Sequence, residues 1–136
     1  MGQKSTETKV AIGSDTDVIV ACQKGRLLAS RVGLSINEQA AVAIAVLEVA
    51  RNIVKYAGRG QVVLSPVCRD GRDGILVVAR DEGPGIPDIE QALQDGYSTG
   101  GGLGLGLSGA KRLMDEFEIM SCEGEGTTVT MRKWAR

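Results

Sequence analysis

The apolar residues of this 136-residue chain change their spacing along its length, and each change marks an element. Residues 7–12 alternate weakly between polar and apolar, as an edge strand does. Gly13-Ser14-Asp15 reads as a turn. Asp15 or Thr16 can cap a helix that runs to about Val32, where Gly33 stops it. Val20, Leu27, Leu28 and Val32 fit one face of that helix, with Lys24 and Arg31 on the wetter side. Ser35-Ile36-Asn37-Glu38 is a capping box, and the helix it opens extends to about Ala57, with Gly58 at its end. Val42, Ala43, Val46, Leu47, Val49, Ala50, Ile53 and Val54 make this second helix apolar nearly all round, which predicts a buried helix. One narrow stripe is polar: Glu48, Arg51, Asn52 and Lys55 follow at helical spacing. A buried helix with such a stripe needs something polar to face.

The second half reads as strands around glycine-rich connections. Residues 61–67 and 74–80 predict two strands about a turn at 69–73. Pro66 cannot donate to a ladder, so it belongs at an edge or a bulge. Asp81 ends the second strand. Residues 87–93 predict a short helix with proline in its first turn, and 95–102 a loop of small residues. A helix over 107–117 follows, then a hairpin of 118–122 and 127–133 across Glu123-Gly124-Glu125-Gly126. Trp134 is expected to pack as a lid on the core. No repeat or long linker divides the chain, so residues 1–136 read as a single domain.

Composition narrows the function. Apolar residues make up 43% and charged residues 24%, the balance of an ordinary globular domain. A net charge of −1 gives no general pull toward nucleic acid or membrane. The longest apolar run, 40–47, is too short to span a bilayer, and the start of the chain has no apolar leader. Cys22, Cys68 and Cys122 are scattered, which points to a reducing cytoplasm and to small buried thiols. The chain has no histidine. That excludes histidine metal sites, Ser-His-Asp hydrolysis and a self-contained histidine kinase.

Two glycine clusters carry the candidate chemistry. Asp81-Glu-Gly-Pro-Gly-Ile-Pro-Asp follows a buried strand, and Gly100-Gly-Gly-Leu-Gly-Leu-Gly-Leu runs directly into a helix. Glycines let backbone N–H groups approach a phosphate, and a helix N-terminus adds a favourable dipole. The string Gly104-Leu-Gly106-Leu-Ser-Gly109 matches G-x-G-x-x-G, but no strand directly precedes it, so the dinucleotide reading fails. There is no Walker A lysine and no V-A-I-K or H-R-D pattern. A carboxylate at Asp81 can accept a hydrogen bond from the exocyclic amine of adenine. Asn52 offers a neutral oxygen to Mg²⁺, which favours hard oxygen ligands. Glu48, one turn earlier, is placed to take a proton from an attacking hydroxyl or water.

Glu48-x-x-x-Asn52 on a helix, Asp81-x-Gly83-x-Gly85, Gly102-x-Gly104-x-Gly106 and Thr127-Thr128 in a late strand come in the order of four boxes of one superfamily. The chain resembles the ATP-binding fold shared by gyrase, Hsp90, histidine kinases and MutL (the GHKL, or Bergerat, fold) over nearly its whole length. Within it, Glu48-Val-Ala-Arg-Asn-Ile, Asp95-Gly-Tyr-Ser-Thr-Gly-Gly-Gly-Leu-Gly and Lys111-Arg-Leu-Met-Asp-Glu-Phe are similar to the small bacterial anti-sigma-type serine/threonine kinases that act as stressosome switches. The resemblance implies an α/β sandwich: a mixed, mainly antiparallel sheet with helices on one face. It implies ATP and Mg²⁺, with Glu48 as catalytic base, Asn52 as metal ligand and Asp81 as adenine reader. Gly83, Gly85, Ser98, Thr99, Gly102, Leu103, Gly104, Leu105 and Gly106 would contact the nucleotide, and Thr128 would support adenine through Asp81 or a water.

The resemblance further implies STAS-domain proteins as substrates, and a PP2C-type phosphatase or another output protein activated by the released kinase. Related domains form dimers, so a homodimer stays open. Some relatives hold the γ-phosphate with a lid arginine, whereas no basic residue adjoins Ser98 and Thr99 here; Arg51, Lys111 and Arg112 are the alternatives. A competing expectation is a nucleotide-gated anti-sigma module that binds a partner, such as a sigma factor, without significant turnover.

Overall fold

The computed structural model describes residues 7–85 and 106–136. Five strands form one sheet: β1 (Thr8–Ile12), β2 (Gly60–Arg69), β3 (Arg72–Asp81), β4 (Glu116–Cys122) and β5 (Gly126–Trp134), in the order β1-β2-β3-β5-β4. Three described helices, α1 (Asp15–Arg31), α2 (Ile36–Tyr56) and α3 (Gly106–Leu113), join them, with α2 packed between α1 and α3. This is the expected α/β layering. Every strand pairing among the described residues is antiparallel. The short helix expected over 87–93 and the loop over 95–102 lie outside the described residues.

The long hairpin of β2 and β3 turns on Asp70 and Gly71 alone. Their φ angles of 54° and 77° are those of a tight two-residue turn whose twist matches the strands, so the strands extend further than the pattern predicts. Pro66 sits in an unbroken register opposite Ile75. It lies past the last β1 pair at Thr8 and Leu64, where the outer edge of β2 has no strand neighbour among the described residues.

The helices begin and end on local chemistry. Ser35 accepts from the Glu38 N–H at 3.1 Å while Glu38 Oε1 accepts from the Ser35 N–H at 2.8 Å, closing the capping box. The N-cap of α1 is Ser14, one residue before the expected cap, and its side chain accepts from the Asp17 N–H. The face of α1 also differs from expectation. Val18, Ala21, Gly25 and Ala29 are the buried residues, whereas Leu27 is 52% exposed. Small side chains let α1 approach α2 closely: a Cβ on Gly25 would stand 3.2 Å from Val46 Cγ2.

Strand alternation then divides the sheet. Val10 and Ile12, Val62 and Leu64, Ile75, Val77 and Ala79, and Val129 and Met131 are buried and join the α2 residues Val42, Val46, Val49 and Ile53 in one core. α3 ends at Leu113 and β4 starts at Glu116, so Phe117 belongs to a strand rather than to the expected helix. Trp134 corrects another expectation. By alternation it lies on the face away from the helices, opposite Gly74, with the Arg69 guanidinium 4.6 Å from its ring and its indole N–H donated to Glu116. Lys133 turns inward instead and donates to the Leu113 carbonyl at 2.8 Å. Cys68 and Cys122 are exposed, against expectation, while Cys22 is half-buried and packs against the core. No described helix is long and apolar enough to cross a membrane.

Candidate functional site

The core changes character at one end of the sheet. Its last row across the helix-facing side runs Gly60, Asp81, Thr127, Ser121, each registered opposite the next. Asp81 and Thr127 are buried, and the Thr127 and Ser121 hydroxyls lie 2.8 Å apart. One Asp81 oxygen, Oδ1, accepts from the Gly83 N–H at 2.9 Å. That bond bends the chain sharply out of β3 and fixes the carboxylate at the strand end. Polar groups in a buried row persist where they are partnered: Thr127 pairs with Ser121, and Asp81 with the Gly83 N–H.

Three chain segments crowd this end. A Cβ on Gly83 would lie 2.6 Å from Ala57 Cβ at the end of α2, and one on Gly126 would lie 2.2 Å from the Asp81 carbonyl oxygen. Gly85 has φ +82° and its Cβ position would meet the Cys122 carbonyl oxygen, while Pro84 accepts from the Gly124 N–H at 2.8 Å. Gly83 and Gly85 therefore have a packing reason to be glycine: they seat the turn after β3 against α2 and the β4–β5 hairpin. A cleft of about 520 Å³ opens beside them, between Ala57, Arg59, Arg80 and Asp81.

On the polar stripe of α2, Glu48 lies nearest the start of α3. Glu48 is only 7% exposed, and its Oε2 has no hydrogen-bond partner among the described residues. The backbone N–H of Gly106, at the start of α3, lies near the same carboxyl group and favours its charged form. Burial pushes the Glu48 carboxyl above the ordinary carboxylate range; the positive charge of Arg51 and the Gly106 N–H partly offset this. Cys22 on α1 senses the same site: burial, and then the charge of Glu48, push its thiol up to about 11. A thiol so placed is inert as a nucleophile at neutral pH.

Asn52 stands half-buried one helical turn after Glu48, nearer the end of α2 where Ala57 meets Gly83. Among the described residues no cluster of three or more acid, cysteine or histidine side chains could hold a metal unaided. A Mg²⁺ that keeps waters and takes phosphate oxygens needs only one or two protein oxygens, and the Asn52 carbonyl fits that need. Lys111 and Arg112 are exposed in the last turn of α3, at the far end from Gly106. Of the three candidate cations, Arg51 is the one whose charge reaches Glu48.

Thr128 is a correction. It registers opposite Arg80 and lies with Glu118, Met120 and Thr130 on the helix-free face, on the other side of the sheet from the site. Thr127, one residue earlier, is the hydroxyl beside Asp81. The sequence carries the signal for this. Val129 and Met131 must turn inward, and a period of two brings Thr127 in with them. Ser98, Thr99, Gly102, Leu103, Gly104 and Leu105 lie outside the described residues.

A deep helix with a buried acid and an amide, an acid closing the central strand, and a helix N-terminus meeting the buried acid define the class. The family model of the histidine kinase-like ATPase domain matches residues 15–133, and the chain belongs to that family. Its similarity is strong to the serine/threonine-protein kinase RsbT of Bacillus subtilis (strain 168): 47% identity over 127 residues, 93% of this chain and 96% of that one. The anti-sigma F factor of Caldanaerobacter subterraneus is 32% identical over 112 residues, 78% of this chain and 77% of that protein. Among solved structures, the mycobacterial sensor histidine kinase MprB superposes with a TM-score of 0.56 over 96% of this chain and 99% of that one. At 22% identity that likeness concerns the fold. The resemblance to anti-sigma-type switch kinases is thus borne out.

Proposed function

We propose that this protein is an ATP-dependent serine/threonine protein kinase whose acceptor is a side-chain hydroxyl on a STAS-domain partner. The observation that carries the reading is Glu48: a buried carboxyl group with one oxygen unpartnered among the described residues, one helical turn from Asn52. A module that only bound nucleotide would have no use for such a group. The similarity to RsbT, named a serine/threonine kinase, supports the same reading.

In the proposed reaction the partner's Ser or Thr Oγ attacks the γ-phosphorus as the bond to the β,γ-bridging oxygen breaks. The electron pair leaves with ADP, and Glu48 takes the hydroxyl proton. A carboxyl whose affinity for protons is raised by burial suits that role. Asp81 accepts from the adenine amine, Thr127 supports that end of the pocket, and Asn52 would hold Mg²⁺, which would supply charge neutralisation at the phosphates. Transfer of this kind needs mainly positioning and charge neutralisation, so a small domain suffices. The kinase belongs to a partner-switching pathway. Released from its STAS partner, it engages an output protein such as a PP2C-type phosphatase.

The anti-sigma F relatives favour a second reading, in which the domain holds nucleotide and sequesters a partner. Incubating the protein with Mg-ATP and STAS proteins encoded beside it, followed by mass spectrometry, separates the two. A phosphate on a partner serine or threonine, lost with Glu48→Gln and Asn52→Ala, is the expected result. A stable complex with bound ATP and no transfer would leave the binding module.

A further inference from the structure

Thr127 has two neighbours in the row that ends the sheet: Ser121 on β4 and Asp81 on β3. Its hydroxyl pairs with Ser121 Oγ, 2.8 Å away. A third group sets the direction of that bond. The Ser121 hydroxyl donates to the Gly126 carbonyl at 3.3 Å, and a carbonyl oxygen can only accept. A hydroxyl has one proton to give, so the bond between the two hydroxyls runs from Thr127 to Ser121. Thr127 Oγ1 is then left with lone pairs alone for any further partner. The Asp81 carboxylate beside it, one oxygen of which already accepts from the Gly83 N–H, likewise only accepts. Side by side, the two residues offer acceptors and no donor.

We propose that Ser121 is a positioning residue that sets purine selectivity by holding the Thr127 proton. A 6-amino group brings two N–H donors to a pair of acceptors. A 6-oxo purine brings a carbonyl to the same pair, and Thr127 has no proton to turn toward it while Ser121 holds that proton. A site built to receive a donor rejects a ligand that lacks it, because buried polar groups are left unpaired. The inference rests on the reading of Asp81 as the acid that meets adenine. It extends that reading to a serine one strand further out.

The test measures the affinity of the whole protein for ADP and for IDP, its 6-oxo counterpart. Wild type is expected to favour ADP by about tenfold or more. Ser121→Ala frees the Thr127 proton, and the preference is expected to fall about 3- to 10-fold, the worth of one neutral hydrogen bond, chiefly because IDP binds more tightly. Ser121→Thr keeps a hydroxyl and is expected to keep the preference. In a Thr127→Val background, Ser121→Ala is expected to change the preference no further, since no hydroxyl is left to hold. A serine that served only the fold would weaken both nucleotides alike; an unchanged ratio in Ser121→Ala therefore overturns the proposal. So does a full effect of Ser121→Ala in the Thr127→Val background, or a wild type that takes both nucleotides equally. Asp81→Asn tells the two readings apart. If it loses the preference while Ser121→Ala retains it, the relay falls and the adenine-reading acid stands. If Asp81→Asn retains the preference, the reading of Asp81 falls and the relay falls with it.

Discussion

Asp81 and Thr127 stand directly opposite each other on β3 and β5, at the end of a sheet whose next helix-facing row, Val62, Ala79 and Val129, is apolar. The pairing assigns the late threonine of the site to Thr127, and it separates two neighbouring hydroxyls by function. Thr127→Val is expected to weaken ADP binding about 3- to 10-fold, the worth of one neutral hydrogen bond. Thr128→Val, on the opposite face, is expected to leave it unchanged. Isothermal titration of both variants decides, and the reverse order of effects would return the role to Thr128.

Glu48 sets activity against stability. Burial raises its carboxyl, so the folded protein holds that proton to a higher pH than the unfolded chain does. Stability from this group is therefore full below the ordinary carboxylate range and falls as pH rises through the raised value. Glu48→Gln removes the ionisation. At neutral pH the variant is expected to be more stable by about 1–3 kcal/mol, the cost of a buried unsatisfied group. The gap should close in acid, and transfer should fall by about 10²–10⁴-fold. Melting curves across pH would expose the error if the variant unfolds earlier than wild type at neutral pH.

Arg51 lies within electrostatic reach of Glu48 and partly offsets its burial. Arg51→Met keeps the aliphatic stem and removes the charge. Its expected effect is a loss of about tenfold or more in transfer, with adenosine binding intact, because a cation near the transferring phosphoryl acts on developing charge. A variant that transfers normally would move the search for that cation elsewhere.

Two glycines with similar backbone angles should behave differently. Gly126 has φ +104° and its Cβ position would lie 2.2 Å from the Asp81 carbonyl oxygen, whereas Gly71 has φ +77° with nothing within 4 Å. Gly71→Ala meets only the backbone penalty, about 1 kcal/mol. Gly126→Ala adds a collision at the strand end and is expected to cost well above that and to reduce nucleotide binding with it. Urea denaturation of both gives the comparison.

The sequence makes α2 legible because its signals are local: a capping box at Ser35 and Glu38, and a polar stripe that breaks an apolar run. Asp81 is legible for the same reason, as an acid that ends an apolar strand and is followed by Gly83 and Gly85. The face of α1 is not. Ala21, Gly25 and Ala29 carry little hydrophobic weight, yet their small size lets the helix meet Val46, while the heavier Leu27 is left outside. Trp134 misleads similarly, since bulk suggests the core but strand alternation sends it to Arg69 and Glu116. The contact between Gly106 and Glu48 joins residues 58 positions apart (106 minus 48) and has no local signal at all.

α2 lies between α1 and α3 and covers the sheet, and Glu48 sits on it between Leu47 and Val49. The helix proposed to carry the chemistry is also the helix around which the domain closes. A packing error at Val46, opposite Gly25, or at Val49 would tilt Glu48 and Asn52 with the backbone. Conditional, temperature-sensitive alleles should therefore gather on this helix, and lose signalling at temperatures where the rest of the chain still holds its shape.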